Sequence, residues 1–315
     1  MHVAIALAVS GCAQGSLPVA TPPYAGATHT LAWPAAHFYG NDAMYSSQPS
    51  DDEIVIYKRG SNGLTLTRRK TLTVGFSSPM GMATTPGWWY VANSGASDVL
   101  VYRTTHEGLE APKATLRDDG QVPVNVSLTP DRQLVAVSNG STTAGLAGSV
   151  SVYLNGRNEP SRILTYGTDP VQGAGIAIDS HGDCYWSFND PVKLTGSIVK
   201  FAGCSGSGTL YRSGILRAGG LAFDRNGNLY YVDQVLGIFK CRSSSSCSLF
   251  TIVGLGGLIL PANINFDNSR PQNLWVADAA GYIDAINLQG LIEYILDILG
   301  GITNPPIGIA PALGG

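Results

Sequence analysis

A five-residue phrase recurs six times along the chain, with 43 to 50 residues between successive copies. Each copy has a proline or small residue, any residue, a glycine or asparagine, and then an apolar–small pair. The third residues of the six copies are Gly81, Asn125, Gly175, Gly220, Asn263 and Gly308. A period in the forties that is filled with short strands is typical of a radial array of small sheets.

The fourth copy shows the repeating unit most clearly. Runs of apolar and β-branched residues at 220–224, 229–233, 237–241 and 248–253 predict four short strands. A turn centred on Gly227 separates the first two, since such turns need a residue that accepts a positive φ. Four strands joined by tight connections form one antiparallel propeller blade.

The two ends of the chain predict how the ring closes. Residues 37–41, 53–57 and 69–74 resemble the second, third and fourth strands of a blade that lacks its first, whereas residues 307–310 resemble a first strand with nothing after it. We expect the C-terminal strand to complete the N-terminal blade, which leaves no open sheet edge. The fold class is therefore an all-β, six-bladed propeller. The apolar run 291–299 falls in a fourth-strand position and is predicted to be a strand rather than a helix.

Composition limits the partners of the chain. Charged residues make up 13% of the 315 residues, the net charge is −3, and Lys and Arg form no cluster. Nucleic-acid binding requires a basic patch that neutralises phosphates, so we expect none. We also expect a monomer.

The N-terminus predicts export. A short apolar run at 3–9 precedes Ser10-Gly11-Cys12, which resembles a bacterial lipobox, although no Lys or Arg precedes the run. The predicted organisation is a signal peptide and lipobox at 1–12 with Cys12 as the lipidated residue, a flexible tether at 13–28 and one propeller domain at 29–315. The alternative is a plain secretory signal with an incidental cysteine. Either way the protein is expected to be secreted or to reside in the bacterial cell envelope, in the lipidated case in the periplasm or at the cell surface.

Four cysteines remain beyond Cys12. Cys241 and Cys247 flank a flexible serine stretch, and Cys184 and Cys204 fall within one repeat, so we predict a disulfide within each pair. Buried free thiols and metal ligation remain as alternatives, but the spacing is not that of a zinc site.

One copy of the repeat points to a known group of proteins. The segment 175–182, Gly-Ile-Ala-Ile-Asp-x-x-Gly, followed by an aromatic-rich strand, resembles the NHL repeat and its relatives, the SMP-30/gluconolactonase lactonases and the streptogramin lyases. The resemblance covers about residues 35–313 and implies a six-bladed propeller. It does not specify an activity, since this fold hosts many functions.

The resemblance also implies two kinds of catalytic site. The lactonases hold a divalent cation with Glu, Asn and Asp near the axis, but Glu53 falls in a third strand away from it. The lyases rely on histidines, and nothing in the sequence makes the candidates converge; they are His29, His37, His106 and His181.

Two sets of polar residues are candidate ligand-binding residues. The first recurs at the end of the second strand and is interrupted by Phe188; its members are Asn41, Asn93, Ser138, Asn189, Asp233 and Asp278. These side chains either form a ring around a cation or polar ligand, or bond the backbone of the following turn. The second set is Asn125 and Asn263, which replace glycine in first strands that line the channel.

The function predicted from these features is an envelope-anchored binding or scaffolding module for a protein, peptide or glycan. No catalytic constellation is evident, and no cofactor is expected beyond a possible Ca²⁺ or other divalent cation in the channel. The alternative is a metal-dependent lactonase or lyase whose site lies in the channel.

Overall fold

The structure is a computed structural model that describes residues 43–60, 66–105, 108–109, 111–145, 147–167, 170–253, 258–267, 272–286, 292–297 and 306–311. All of these residues belong to one compact unit, 35–315. They form six antiparallel sheets arranged as propeller blades. The predicted all-β, six-bladed architecture is confirmed.

Blades 1 to 5 follow copies one to five of the phrase. Blade 1 contains β4 (Pro79–Thr85), β5 (Trp88–Asn93), β6 (Asp98–Thr105), β7 (Gly108–Leu109) and β8 (Ala114–Arg117). Blade 2 contains β9 (Gln121–Leu128), β10 (Leu134–Thr142), β11 (Ser149–Leu154) and β12 (Arg162–Leu164). Blade 3 contains β13 (Gln172–Ile178), β14 (Cys184–Asp190), β15 (Thr195–Phe201) and β16 (Thr209–Ile215). Blade 4 contains β17 (Ala218–Phe223), β18 (Leu229–Asp233), β19 (Gly237–Ser243) and β20 (Ser246–Ile252). Blade 5 contains β21 (Pro261–Phe266), β22 (Leu274–Asp278), β23 (Tyr282–Ile286) and β24 (Ile292–Asp297).

Blade 6 joins the two ends of the chain. It contains β25 (Gly308–Pro311), β1 (Ala43–Gln48), β2 (Glu53–Arg59) and β3 (Leu66–Leu72), in that order from the axis outward. The C-terminal strand pairs with β1 antiparallel, and the Gly308 N–H also donates to Ser47 Oγ at 2.8 Å. The predicted closure by the C-terminal strand is thus observed, and every first strand contacts the first strands of both neighbouring blades.

One predicted strand of blade 6 was misplaced. The second-strand position belongs to β1, not to residues 37–41, which lie outside the described residues. The reason is compositional: β1 is buried at every position although half of it is polar, ending in Ser46, Ser47 and Gln48, so no apolar pattern marks it. The predicted strand at 291–299 is confirmed as β24.

The core lies between the blades. The three tryptophans Trp89, Trp186 and Trp275 occur in second strands and are fully buried. The cluster around Trp186 joins residues of blades 2 and 3, and its indole N–H donates to Ser138 Oγ on the neighbouring blade at 3.0 Å. Because both sides of each sheet meet another blade, the second strands carry apolar residues on both faces.

Both predicted disulfides are present. Cys184 in β14 is bonded to Cys204, which ends the 3₁₀ turn after β15, and Cys241 in β19 is bonded to Cys247 in β20. These bonds indicate an oxidising, extracytoplasmic location. None of the helical segments in the described ranges has the length and apolar character required to cross a membrane.

The antiparallel order gives the propeller two distinct faces. The connections between first and second strands and between third and fourth strands lie on one side, which we call the front face. The connections between second and third strands, and from each fourth strand to the next blade, lie on the other, which we call the back face. Each first strand therefore runs from the back face to the front face.

Candidate functional site

The channel narrows where the third residues of the six phrases meet. Asn125 in blade 2 and Asn263 in blade 5 stand three blades apart in a ring of six, and therefore face each other across the axis. The Asn125 Nδ2 donates to Asn263 Oδ1 at 3.3 Å. Both side chains are buried, with 5% and 6% exposure. The structure thus brings together the two asparagines that depart from the repeat.

Glycine in the other four copies makes room for this pair. A Cβ on Gly81 would lie 2.6 Å from Asn125 Oδ1, and one on Gly220 would lie 2.4 Å from Asn263 Oδ1. On Gly175 and Gly308 a Cβ would meet backbone of the adjacent first strand at 2.7 and 2.2 Å. Glycine is required at these four positions because the first strands of neighbouring blades approach each other closely. At this level the channel has room for the side chains of Asn125 and Asn263 but for no further side chain.

The two asparagine side chains also form hydrogen bonds with backbone groups at the inner edge of the sheets. The first strand is the edge strand of each blade, so its outward backbone groups face the channel without a neighbouring strand. Asn125 Oδ1 accepts a hydrogen bond from the N–H of Val126, and Asn263 Oδ1 accepts one from Ile264, each at 2.8 Å. Buried backbone donors need such partners, so both asparagines have a structural role besides any role toward a ligand.

The amide pair divides the channel into two chambers. The front chamber has a volume of about 230 Å³ and the back chamber about 330 Å³, and both have Asn125 and Asn263 in their walls. The ends of the first strands line the front chamber, whereas their beginnings line the back chamber, together with Asn189, Arg217 and Gln234.

The front chamber offers uncharged hydrogen-bonding groups. Its polar lining residues are Thr84, Asn125, Ser127, Asn263, Asn265 and Gln272, and none of the described lining residues is charged. The remaining lining is aliphatic apart from Met82, Phe223 and Phe266. Amides and hydroxyls set among apolar groups are suited to a neutral polar ligand, which they orient without an ionic contact.

Sequence reasoning named only two of these six polar residues, Asn125 and Asn263, and missed a pattern that includes two more. The fifth residue of the phrase is alanine in the four copies that have glycine at the third position, at Ala83, Ala177, Ala222 and Ala310. In the two copies with asparagine it is Ser127 and Asn265. The same two opposite blades therefore deviate at both positions, and comparing fifth residues as well as third ones would have revealed the pair.

Three recurrent second-strand residues bond neighbouring backbone or a neighbouring side chain. Asn93 accepts from the Ser77 N–H at 2.6 Å and donates to Asp98 at 2.9 Å. Asp233 accepts from the Leu216 N–H at 2.9 Å and from the two N–H groups that follow in its own turn. Asp278 accepts from the N–H groups of Ile259, Leu260 and Ala280. Asp233 and Asp278 thus make the following-turn bonds that the sequence offered as one of two interpretations, whereas Asn93 bonds the segment before the first strand. A ligand role for these residues stays a prediction.

The other three members of that set differ from these, and Ser138 accepts the hydrogen bond from the Trp186 indole on the neighbouring blade. Asn189 forms a two-way pair with Ala218, accepting from its N–H at 2.8 Å and donating to its carbonyl at 3.0 Å, which joins blade 3 to blade 4. It also lines the back chamber. Asn41 lies outside the described residues, and Ser47 of β1 bonds the first strand instead.

Several aspartates are buried in the described interior, and burial raises the pKa of some of them. Burial raises the pKa of Asp98 to about 6, opposed by the hydrogen bond from Asn93. Burial raises the pKa of Asp284 to about 7, and the charge of Asp278 adds to that shift. Across the described ranges, no three His, Cys, Asp or Glu side chains lie close enough together to hold a metal ion.

Comparison with known proteins gives the fold alone. No family model matches the chain, and no curated protein matches it. Among solved structures it is similar to the PQQ-bound aldose sugar dehydrogenase of Streptomyces coelicolor, with a TM-score of 0.55 at 15% identity over 76% of this chain and 86% of that one. The hydrazine synthase of Kuenenia stuttgartiensis gives 0.53 at 14% identity over 87% and 84%. The calcium-binding regucalcin of Agrobacterium tumefaciens gives 0.48 at 13% identity over 69% and 73%, which is too distant to support an argument.

Proposed function

We propose that the protein is an extracytoplasmic binding module whose front chamber takes the end of a neutral glycan. The observation that carries this proposal is the polar pairing of two opposite blades: Asn125 with Ser127, and Asn263 with Asn265, in a chamber whose described walls carry no charge. Hydroxyl groups of a sugar both donate and accept hydrogen bonds, as amide and hydroxyl side chains do.

The size of the chamber supports a terminal unit rather than a long segment. Its volume of about 230 Å³ is below the roughly 300–1,000 Å³ that is usual for pockets enclosing drug-sized ligands. The rest of the glycan would lie outside on the front face. That face carries polar turns with exposed side chains such as Asn226 and Arg157, which are suited to a solvated ligand.

Binding to sugars tests this function directly. Purified protein is titrated with a panel of neutral hexoses, N-acetylhexosamines and their oligomers, by ligand-observed NMR and calorimetry. Asn265→Ala removes a half-buried lining amide, and we expect it to weaken binding about 5- to 30-fold, since truncating one hydrogen-bonding group costs about 1–2 kcal/mol. Asn226→Ala, the same change in an exposed front-face turn, should bind as the wild type does.

Two outcomes would contradict the proposal. One is a panel in which no sugar binds, and the other is equal binding by the Asn265→Ala and wild-type proteins. A further measurement addresses the alternative function, a metal-dependent lactonase or lyase. Stoichiometric Ca, Mg or Zn in the purified protein that disappears in Asn125→Ala or Asn263→Ala would favour that alternative.

We also propose that the module is anchored through a lipid on Cys12. The support is the lipobox-like Ser-Gly-Cys sequence after the apolar run, together with two disulfides that form in an oxidising compartment. Mass spectrometry of the mature N-terminus should find a diacylglyceryl cysteine, and radiolabelled palmitate should enter the wild type but not Cys12→Ser. An unmodified mature N-terminus would refute the anchor.

A further inference from the structure

The exposed aliphatic residues of the propeller are concentrated on one side. Seven lie in the back-face connections of blades 3 to 5, and we call them the aliphatic rim: Val192, Leu194, Leu216, Val235, Leu236, Ile259 and Leu260. The most exposed are Val192 at 78% and Leu194 at 77%. Exposed apolar groups gathered on one face of a protein mark a contact surface for another apolar body.

The front face has the opposite character. None of the exposed large hydrophobic residues in the described ranges lies in a front-face turn. Those turns instead expose charged residues; examples are Asp131, Arg157, Glu159 and Arg225. In blades 3 to 5 the two faces of the ring therefore differ in polarity. On the other side of the ring the back-face loops expose the charged residues Asp51, Asp52 and Asp119.

Leu194 occupies a position that disfavours it. Its φ is +54°, in the left-handed region where a branched side chain is strained. The equivalent residue just before the third strand has the same sign of φ in three other blades and is Asp52, Ser97 or Gly281. Of the four residues with positive φ at that position only Leu194 is aliphatic, and strain held at an exposed residue is consistent with a use for its side chain.

The charges beside the rim are cationic. In the described back-face loops of blades 3 to 5, the exposed charged residues are Lys193 and Arg217. The acidic residues of the same loops are buried, with Asp190, Asp233 and Asp278 at 7%, 1% and 0% exposure, and they accept hydrogen bonds from backbone amides. Asp190 also pairs with Lys193, whose Nζ lies 2.7 Å from Asp190 Oδ2 although its side chain is 64% exposed, so Arg217 is the other exposed cation of these loops. A surface with aliphatic tips and outward cations complements anionic headgroups above acyl chains.

The chain length before the fold allows such a contact. Thirty-one positions separate Cys12 from Ala43, where β1 begins. At about 3.3 Å per residue this segment spans at most ~100 Å, so an anchor at Cys12 restricts neither face from reaching the membrane. This step rests on the proposed lipid anchor, whereas the rim itself does not.

We propose that the aliphatic rim docks the propeller on the surface of an anionic lipid bilayer, with the blade 3 to 5 side of the back face against the bilayer and the side that carries Asp51, Asp52 and Asp119 tilted away from it. The rim side chains insert between the headgroups, and Lys193 and Arg217 lie at the level of the lipid phosphates. The rim belongs to separate back-face loops (192–194, 216, 235–236 and 259–260) rather than to one sheet surface, an arrangement that suits a fluid interface. The front chamber then faces away from the membrane, open to its ligand.

Vesicle co-sedimentation of the non-lipidated Cys12→Ser protein tests the proposal without the anchor. Vesicles of phosphatidylcholine with 30% phosphatidylglycerol should bind the protein, and pure phosphatidylcholine should bind it at least fivefold less. The double variant Val192→Ser, Leu194→Asn should lose at least fivefold in vesicle affinity. Asparagine accepts the left-handed conformation, so this variant keeps its turn and should unfold at or above the wild-type temperature.

Matched controls distinguish a specific effect of the rim from a general effect of removing exposed hydrophobic side chains. Ile163→Ser, Leu210→Ser removes two side chains of 51% and 53% exposure from outer strands, and should bind vesicles as the parent does. Arg217→Glu should weaken binding to anionic vesicles, whereas Arg225→Glu on the front face should not. Equal vesicle binding by the rim variant and the parent would overturn the proposal, as would no binding by the parent.

A protein partner is the competing explanation of the rim. In that case the parent protein would not bind vesicles but would form a dimer in size-exclusion light scattering, and the rim variant would be monomeric. This result would identify the rim as a contact between copies of the chain and overturn the lipid assignment. The sugar titrations contain no vesicles, so failure of this proposal and failure of glycan binding are observed separately.

Discussion

The side-chain amide of Asn125 donates a hydrogen bond to the side-chain oxygen of Asn263 from the opposite side of the ring, at 3.3 Å and 138 positions away in sequence. The pair divides the channel into two chambers, and each side-chain oxygen accepts a hydrogen bond from a backbone N–H of the first strand of its own blade, blade 2 or blade 5. Four glycines around the pair have no space for a Cβ. Scaffold and candidate binding site therefore share the same residues at the axis.

Gly220→Ala tests the close fit at the axis. The added Cβ would lie 2.4 Å from Asn263 Oδ1, so we expect a loss of about 1–3 kcal/mol in the free energy of unfolding, as for other overpacked interiors. Urea denaturation measures the loss. Adding Asn263→Gly to Gly220→Ala removes the nearest atom and should recover part of the stability that Gly220→Ala loses; equal stability of Gly220→Ala and the wild type would contradict the prediction.

Arg59→Met tests the junction between blades 5 and 6. Arg59 Nη1 lies 3.1 Å from Asp267 Oδ2, and the two side chains are 11% and 0% exposed. Removing one partner of a buried ion pair leaves a buried charge, so we expect a loss of roughly 2–3 kcal/mol by urea denaturation. The matched control is Arg117→Met, whose pair with Glu159 is more than 60% exposed on both sides and should change stability by under about 0.5 kcal/mol.

The two disulfides should contribute unequally to stability. They close segments with sequence separations of 20 and 6 residues, for which loop-closure entropy gives about 3 and about 2 kcal/mol. Replacing Cys184 and Cys204 by alanine should therefore destabilise the oxidised protein more than replacing Cys241 and Cys247. Denaturation with and without reductant measures this, and under reducing conditions the alanine variants and wild type should converge. Non-reducing peptide mapping that fails to recover either linked pair would contradict the assignment.

Asp284 should make the protein less stable as the pH rises. Burial, with a further contribution from the charge of Asp278, raises the pKa of Asp284 from 3.8 to about 7, and neither carboxyl oxygen has a hydrogen-bond partner in the described part of the protein. Between these two values the unfolded state loses the proton while the folded state keeps it, so stability falls from about pH 4 to pH 7 and then levels off.

Asp284→Val removes this dependence. The stability gained by the variant over the wild type should grow by about 2–4 kcal/mol from pH 4 to pH 8, since each pKa unit corresponds to roughly 1.4 kcal/mol. Chemical denaturation across that range measures the difference. Val276→Ala, which lies opposite Asp284 in the sheet register and carries no charge, should show a difference from wild type that does not vary with pH. A pH-independent gain for Asp284→Val would contradict the assigned protonation.

The sequence by itself determined the number of blades, their closure by the C-terminal strand and both cysteine pairs, because each follows from period and spacing along the chain. It also identified Asn125 and Asn263 as departures from the repeat. It did not locate β1, since that buried strand is half polar. The tertiary structure decided which polar residues meet: Ser127 and Asn265 join the two asparagines in one chamber, whereas Asn93, Asp233 and Asp278 bond neighbouring groups. Those outcomes depend on the radius of the closed ring and on the face to which each loop belongs, and distances between blades are set by packing that no local pattern encodes.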